Sequence, residues 1–256
     1  MYIEETHSTS SLLRESYTDA LPHLYTIRTD YQTAGRGQAG NGWESERAKN
    51  LLFSSLLRYP TLLAAEQWRI SMLVAVAVRE VLSQELAQYG GEEPTIKWPN
   101  DIYYGDHKLV GILIENMLQG AHIAYTIAGV GINVNQTKWL SNAPNPISLQ
   151  QITGKEHSVD RLMQAFVDAM VQWENQPTEV IYQAYMQHLY RKTGWYPYVE
   201  REVNLTPTAI QTHTSNDAFE AQIVDVTPQG ELQLLTRNGE TKKYHFKQIR
   251  YIIQKT

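Results

Sequence analysis

The stretch from Thr95 to Asn133 constrains the fold more than any other, because tight turns separate its strands. Thr95 to Trp98 and Ile102 to Tyr104 read as short strands, and Gly105-Asp106 follows with the chemistry of a hairpin turn. Lys108 to Asn116 returns, Gln119-Gly120 turns again, and Ile123 to Asn133 forms a further strand. Connections this short join antiparallel neighbours, since a parallel pair needs a long crossover. The segment is therefore a meander of antiparallel strands with helices packed against it.

The helices are visible by their period. Met72, Val76, Val78, Val81, Leu82 and Leu86 give a helix over Ser71 to Gln88 a broad apolar face, and Gly90-Gly91 ends it. Ser158 caps a second helix running through Trp173, and Pro177-Thr178 opens a third ending near Tyr190. Nearer the start, Ser10 is placed to cap a helix beginning at Leu12, which puts Ser8-Thr9-Ser10 at a strand-to-helix junction. Leu24 to Arg28 reads as a strand entering a glycine loop, and Asn50 to Leu57 as a strand leaving it. After Gly194 the texture changes to short strands at Tyr198–Val203, Phe219–Val226, Glu231–Leu235 and Lys242–Phe246, with turns at Thr227-Pro-Gln-Gly230 and Asn238-Gly239. The expectation is an α+β chain: a larger domain over 1–191 and a small β-barrel-like domain over 192–256, near the lower size limit of about 60 residues for independent stability.

Composition excludes several classes. The chain has no cysteine, which removes disulfides, thiolate metal sites and cysteine nucleophiles. A net charge of −5 argues against a broadly basic nucleic-acid surface. Met1 to Ser11 carries Glu4 and Glu5 without a long apolar run, and the apolar stretch Ile70 to Val78 is too short to span a bilayer. A cytoplasmic protein with no membrane or nucleic-acid partner is expected.

The chemistry concentrates in two segments, Gly35-Arg36-Gly37-Gln38-Ala39-Gly40-Asn41-Gly42-Trp43 and Lys97-Trp98-Pro99-Asn100-Asp101. A glycine loop holding an arginine can wrap an anion, Trp43 offers a flat face, and Lys97 ends an apolar run. Gly35-x-Gly37-x-x-Gly40 matches the dinucleotide fingerprint only literally, because a polar segment precedes it and no helix opens within it. It also fails as a P-loop, since Asn41-Gly42 stand where Lys and Ser or Thr are required.

Four segments in order carry a stronger signal: Gly35-Arg36-Gly37-x-x-Gly40-x-x-Trp43, Lys97-Trp-Pro-Asn-Asp101, Lys108-Leu-Val-Gly-Ile-Leu-Ile-Glu115 and Gly129-Val-Gly-Ile-Asn133. Together they closely resemble the biotin–protein ligase family, also called biotin–[acetyl-CoA-carboxylase] ligases. The likeness runs from Ser8 to about Ser148 and, more loosely, into the C-terminal part. It implies a class II synthetase-like mixed, largely antiparallel sheet with an SH3-like C-terminal barrel. It also implies ATP-dependent attachment of biotin, through biotinyl-5′-AMP, to a lysine of a biotin carboxyl carrier domain.

By the same resemblance, Lys97 and Arg36 are the catalytic cations at the carboxylate and α-phosphate. Ser8, Thr9, Ser10, Gln32, Gly35, Gly111 and Gly129 join them around biotin, and Arg36, Gly37, Gly40, Trp43, Asn100, Lys108 and Asn133 around ATP. ATP chemistry brings Mg²⁺, for which no compact protein motif is expected. Structural alternatives stand beside these roles: a helix cap for Ser8 to Ser10, a self-satisfied turn for Asn100 and Asp101, and an internal hydrogen bond for Asn133. Gln38 and Asn41 occupy positions where many relatives carry arginine, and Ser10 replaces a common asparagine. The rival readings are a lipoate or octanoate ligase of the same fold, a biotin-sensing repressor, for which no N-terminal winged helix precedes the catalytic-type segment, and a non-catalytic biotin-binding module. A homodimer stays open.

Overall fold

The computed structural model describes residues 1–140, 145–205 and 210–253, without the side chains of 39 and 202–216. Its larger sheet has seven strands. In chain order these are β1 (Tyr2–Thr6), β2 (Thr26–Gln32), β3 (Leu51–Leu57), β4 (Thr95–Lys97), β5 (Asp101–Tyr104), β6 (His107–Gln119) and β7 (His122–Ile132). They lie side by side as β1-β2-β3-β7-β6-β5-β4. Only the β1–β2 pair is parallel; the other neighbours are antiparallel, including the expected meander β4 to β7. Gly105 and Gly120 turn two of its hairpins with positive φ, the conformation glycine adopts without steric cost.

Among the described residues five α-helices accompany the sheets: α1 (Thr9–Glu15), α2 (Trp68–Ala87), α3 (Leu149–Thr153), α4 (Val159–Glu174) and α5 (Thr178–Gln187). The long α2 ends as expected, with Gly90 left-handed and the Gly91 N–H donating to Leu86 O at 3.0 Å. Ser158 caps α4 by accepting from the Arg161 N–H. One cap differs from expectation. Helix α1 begins at Thr9 and Ser8, not Ser10, accepts from the Ser11 N–H, because Ser8 alone has the extended backbone a cap requires.

β3 is buried along its whole length, so both faces of the sheet are covered there. Phe53, Leu57, Val130 and Ile132 pack with α2, α4 and α5 in the main core. Leu56 and Ile127 meet α1 through Leu13 on the opposite face, in a much smaller cluster with Ile27. This second face carries little helical cover, and the glycine loop folds over the rest of it.

The C-terminal strands are β8 (Tyr196–Leu205), β9 (Ile210–Val226), β10 (Leu232–Thr236), β11 (Thr241–Tyr244) and β12 (Ile249–Tyr251). They form a separate antiparallel sheet ordered β11-β10-β9-β8-β12, so the expected C-terminal β domain is present. Residues 206–209 and 254–256 of the expected span lie outside the described residues. Trp98 Nε1 donates to Gly230 O at 3.0 Å and Trp68 covers Gly230, which fastens the turn between β9 and β10 to the larger unit. Sequence reading missed β1 and β12. No helix among the described residues is long and apolar enough to cross a membrane.

Candidate active site

A cleft of about 1120 Å³ lies over the lightly covered face and is closed at one end by the C-terminal sheet. Ser8, Thr9, Ser10, Gln32, Arg36, Gly37, Trp43, Lys97, Lys108, Gly111 and Gly129 all line it, residues that are scattered over more than 120 positions of sequence. Gly35 and Gly40 border a smaller hollow on the outer side of the same loop. Asn100 and Asn133 are buried behind the cleft.

Strand register explains how the floor is built. Ser54, Gly129 and Leu113 lie across from one another on β3, β7 and β6, and Leu52, Gly131 and Gly111 form the next row on the same face. A Cβ added to Gly129 would stand 2.5 Å from Ser10 Oγ. Added to Gly111 or Gly131, it would stand 2.5 Å from the Trp43 ring. The three glycines are thus recesses: one seats a serine hydroxyl, and the other two together seat an indole. Gly111 and Gly129 were expected to let a ligand approach; here the space above each holds a side chain of the protein, which in turn lines the cleft.

Beside the first recess is a closed set of hydroxyls. Ser54 Oγ lies 2.8 Å from Thr9 Oγ1 and 2.9 Å from Ser10 Oγ, and Gln32 Oε1 accepts from the Thr9 N–H at 2.8 Å. Ser54 was not singled out from the sequence, although two serines inside Leu51-Leu-Phe-Ser-Ser-Leu-Leu57 are a signal, since a buried hydroxyl needs a partner. Ser54→Ala is expected to strand the Ser10 hydroxyl and lower stability by about 1–2 kcal/mol, read by thermal unfolding. An unchanged melting temperature would contradict the network.

The glycine loop is held as a closed strap. The Trp43 N–H donates to Gly35 O at 2.9 Å and the Gly37 N–H to Asn41 O at 2.7 Å, while Gly40 turns the short 3₁₀ segment Gln38–Gly40 at φ +85. Gly35 is required for closure, because a Cβ there would lie 2.4 Å from Trp43 O. Gln38 pins the strap inward by donating to Asn100 Oδ1 at 2.8 Å, so Asn100 serves an internal contact here. Arg36 is not a bare cation either. Its guanidinium meets Glu115 at 2.6 Å, and Glu115 also holds Arg14 at 2.6 Å.

At the other end, Lys108 Nζ pairs with Asp101 at 2.7 Å and stands 5.7 Å from the Trp43 ring centroid. Asn133 donates to Ile147 O and Lys108 O, but its buried Oδ1 has no partner among the described residues. Lys97 is partly buried, with its ammonium 4.7 Å from the Tyr251 ring centroid and 5.3 Å from that of Tyr103. Burial first, and then the charges of Lys108, Arg191 and Arg201, lower its pKa to about 8 despite the opposing Asp101. A shift of this kind, in a cleft, marks Lys97 as a candidate functional residue.

Arg36, Lys97 and Lys108 stand with Arg201, Lys247 and Arg250 around a sheet-floored cleft that also holds a seated indole and a hydroxyl cluster, an arrangement suited to an acidic or phosphorylated ligand. The chain belongs to the Biotin/lipoate A/B protein ligase family, whose model matches residues 2–133, just over half of it. It is similar to the "Bifunctional ligase/repressor BirA" of Bacillus subtilis, 29% identical over 251 residues that span 95% of this chain and 71% of that protein. It is also similar to the "Biotin--[acetyl-CoA-carboxylase] ligase" of Mycobacterium tuberculosis, 26% identical over 178 residues, covering 68% of this chain and 64% of that one. Among solved structures, the fold matches the biotin protein ligase of Aquifex aeolicus in complex with biotin and ATP, with a TM-score of 0.72 at 21% identity over 98% of each chain. The family expected from the four motifs is therefore the family found.

Proposed function

We propose that this chain is a biotin–protein ligase acting in two steps in the one cleft. A biotin carboxylate oxygen attacks the α-phosphorus of ATP, the bond to the β-phosphate oxygen breaks, and biotinyl-5′-AMP and pyrophosphate form. The neutral amine of a carrier lysine then attacks the acyl carbon. The C–O bond to AMP breaks, an amide forms and the amine proton leaves.

The observation that carries this reading is the adjacency of the hydroxyl cluster and the seated indole on one sheet face, with Arg36, Lys97 and Lys108 around them. Thr9, Ser10 and Gln32 line the cleft with donors and acceptors suited to the ureido group, and Ser54, buried beneath them, fixes the two hydroxyls. The face of Trp43 turned away from the glycines takes the adenine, and Asn133, buried behind the cleft, braces that end by donating to Lys108 O and Ile147 O. Lys97 and Arg36 meet the two anions whose approach limits the first step. Glu115 can release Arg36 to the ligand at small cost because Arg14 remains paired to it.

Mg²⁺ belongs to the same proposal. Among the described residues no three His, Asp or Glu side chains form a metal cage, and the cleft carboxylates Asp101 and Asp106 already hold Lys108 and the Tyr190 hydroxyl. The oxygen donors suit Mg²⁺, with the triphosphate and water as its main ligands. When bound it would offset charge on the departing pyrophosphate. The acceptor is a carrier domain of a biotin-dependent carboxylase, the setting is the cytoplasm, and the division into domains 1–191 and 192–256 follows the two sheets.

The test is single-turnover incubation with Mg-ATP and, separately, biotin, lipoate or octanoate, with each acyl-AMP scored by mass spectrometry. Biotinyl-AMP alone is expected. Its rate should fall as pH rises through about 8, where Lys97 gives up its proton. Lipoyl- or octanoyl-AMP as the main product would move the chain to the sister activity, and no adenylate with any acid would overturn ligation.

A further inference from the structure

We propose that Tyr251 is a positioning residue for the first step: its ring and that of Tyr103 clamp the Lys97 ammonium, making the C-terminal sheet a working part of the active site. This rests on the role given to Lys97 above. Tyr103 belongs to β5 in the same meander as Lys97, whereas Tyr251 comes from β12, at the far end of the sequence.

Several contacts hold the two units in this relation. The Ile96 N–H donates to His188 O at 2.8 Å and the Tyr190 N–H to Ile96 O at 2.9 Å, so the short strand bearing Lys97 is tied to the segment leading into β8. β8 in turn pairs with β12, placing Tyr251 opposite Tyr198. Tyr190 packs against both rings of the clamp, with centroids 5.4 Å from Tyr103 and 6.0 Å from Tyr251. Both clamp rings are buried and their positions are set by packing.

The charges facing Lys97 explain what a clamp adds. Asp101 on β5 attracts it, but the Asp101 carboxylate is paired with Lys108. Lys108 on β6, Arg191 before β8 and Arg201 on β8 all repel it. Among the described residues no carboxylate lies within ion-pairing distance of Lys97. Aromatic faces hold a desolvated cation without cancelling its charge, which leaves the ammonium available to a phosphate.

The experiment uses the full chain and varies the ring electrostatics at constant shape. Tyr251→Phe keeps the face and removes a buried hydroxyl that has no hydrogen-bond partner among the described residues, so it is expected to fold and to keep the adenylation rate within about twofold. Tyr251→Leu is expected to slow adenylation on the order of tenfold and move the alkaline limb of its pH profile to lower pH. Should the leucine variant not fold, mono-, di- and trifluorophenylalanine at position 251 keep the shape while draining the ring face. Rate and alkaline limb should fall stepwise with fluorination, and a flat series would overturn the proposal.

Loss on Tyr251→Phe equal to that on Tyr251→Leu would also overturn it, because the hydroxyl would then be what matters. Failure of the ligase reading is seen separately, as no acyl-AMP from the unsubstituted protein. In that event NMR titration of isotopically dimethylated Lys97 across the fluorinated series still decides the clamp. A titration midpoint that tracks fluorination supports it, and one that does not move removes it.

Discussion

Lys97→Met is expected to abolish most biotinyl-AMP formation, by about 100- to 1000-fold, while making the protein more stable at neutral pH. The two effects have one cause. Bringing a carboxylate against the α-phosphate concentrates negative charge, and a fixed cation in a partly desolvated cleft lowers that barrier by about 3–4 kcal/mol. The fold bears the cost of keeping the cation there, since burial lowers the Lys97 pKa from 10.5 to about 8. Below pH 8 the lysine is charged in both the folded and unfolded chains, and the folded state carries the full desolvation penalty. Between pH 8 and 10.5 the unfolded chain binds a proton that the folded chain has lost, so stability rises with pH across that window. Methionine removes the penalty. Its advantage, on the order of 3 kcal/mol, should be complete below pH 8 and fade toward pH 10.5 in denaturant melts. A variant both inactive and destabilised would mark Lys97 as a structural residue instead.

Gly131→Ala is expected to raise the KM for ATP by about tenfold or more while the fold survives. The added Cβ would stand 2.5 Å from the Trp43 ring, and the strand pairing with Gly111 leaves the backbone nowhere to move. The indole, attached to a surface loop, is the part that shifts. Base–aromatic stacking is worth about 1–3 kcal/mol, which sets the size of the loss. Trp43→Ala should reproduce the higher KM, and the double substitution should add little to either, since both remove the same seat. If Gly131→Ala disturbs tryptophan fluorescence yet leaves the ATP KM unchanged, the indole is not the nucleotide platform.

Much of the candidate site is legible because its chemistry is local. The strap of glycines around Arg36, the lysine ending a short strand, and the hairpin turns at Gly105 and Gly120 are carried by neighbours in sequence. Long-range pairing was not legible. Ser54 is hidden in an apolar strand and becomes a site candidate only because β3 pairs with β7, bringing it opposite Gly129. Gly131 sits two residues beyond Gly129, yet nothing in the sequence says that Trp43, some ninety residues away, lies over it. Glu115 reads as a strand residue until it is seen to hold Arg14 and Arg36 together. β1 was missed because its burial pattern is that of an exposed edge with two glutamates, and β12 because three residues carry too little period.

What the sequence determined by itself was the family, the antiparallel meander and three candidate cations, Arg36, Lys97 and Lys108, since turn chemistry, hydrophobic period and ordered motifs act between near neighbours. Only the tertiary structure decided the state of those cations. Arg36 is shared with Glu115, Lys108 is paired with Asp101, and Lys97 is left to two aromatic faces, one of them from the other sheet. The reason is that a charge is governed by whatever packs around it in space, and β12 reaches Lys97 only because the C-terminal sheet packs against one end of the cleft.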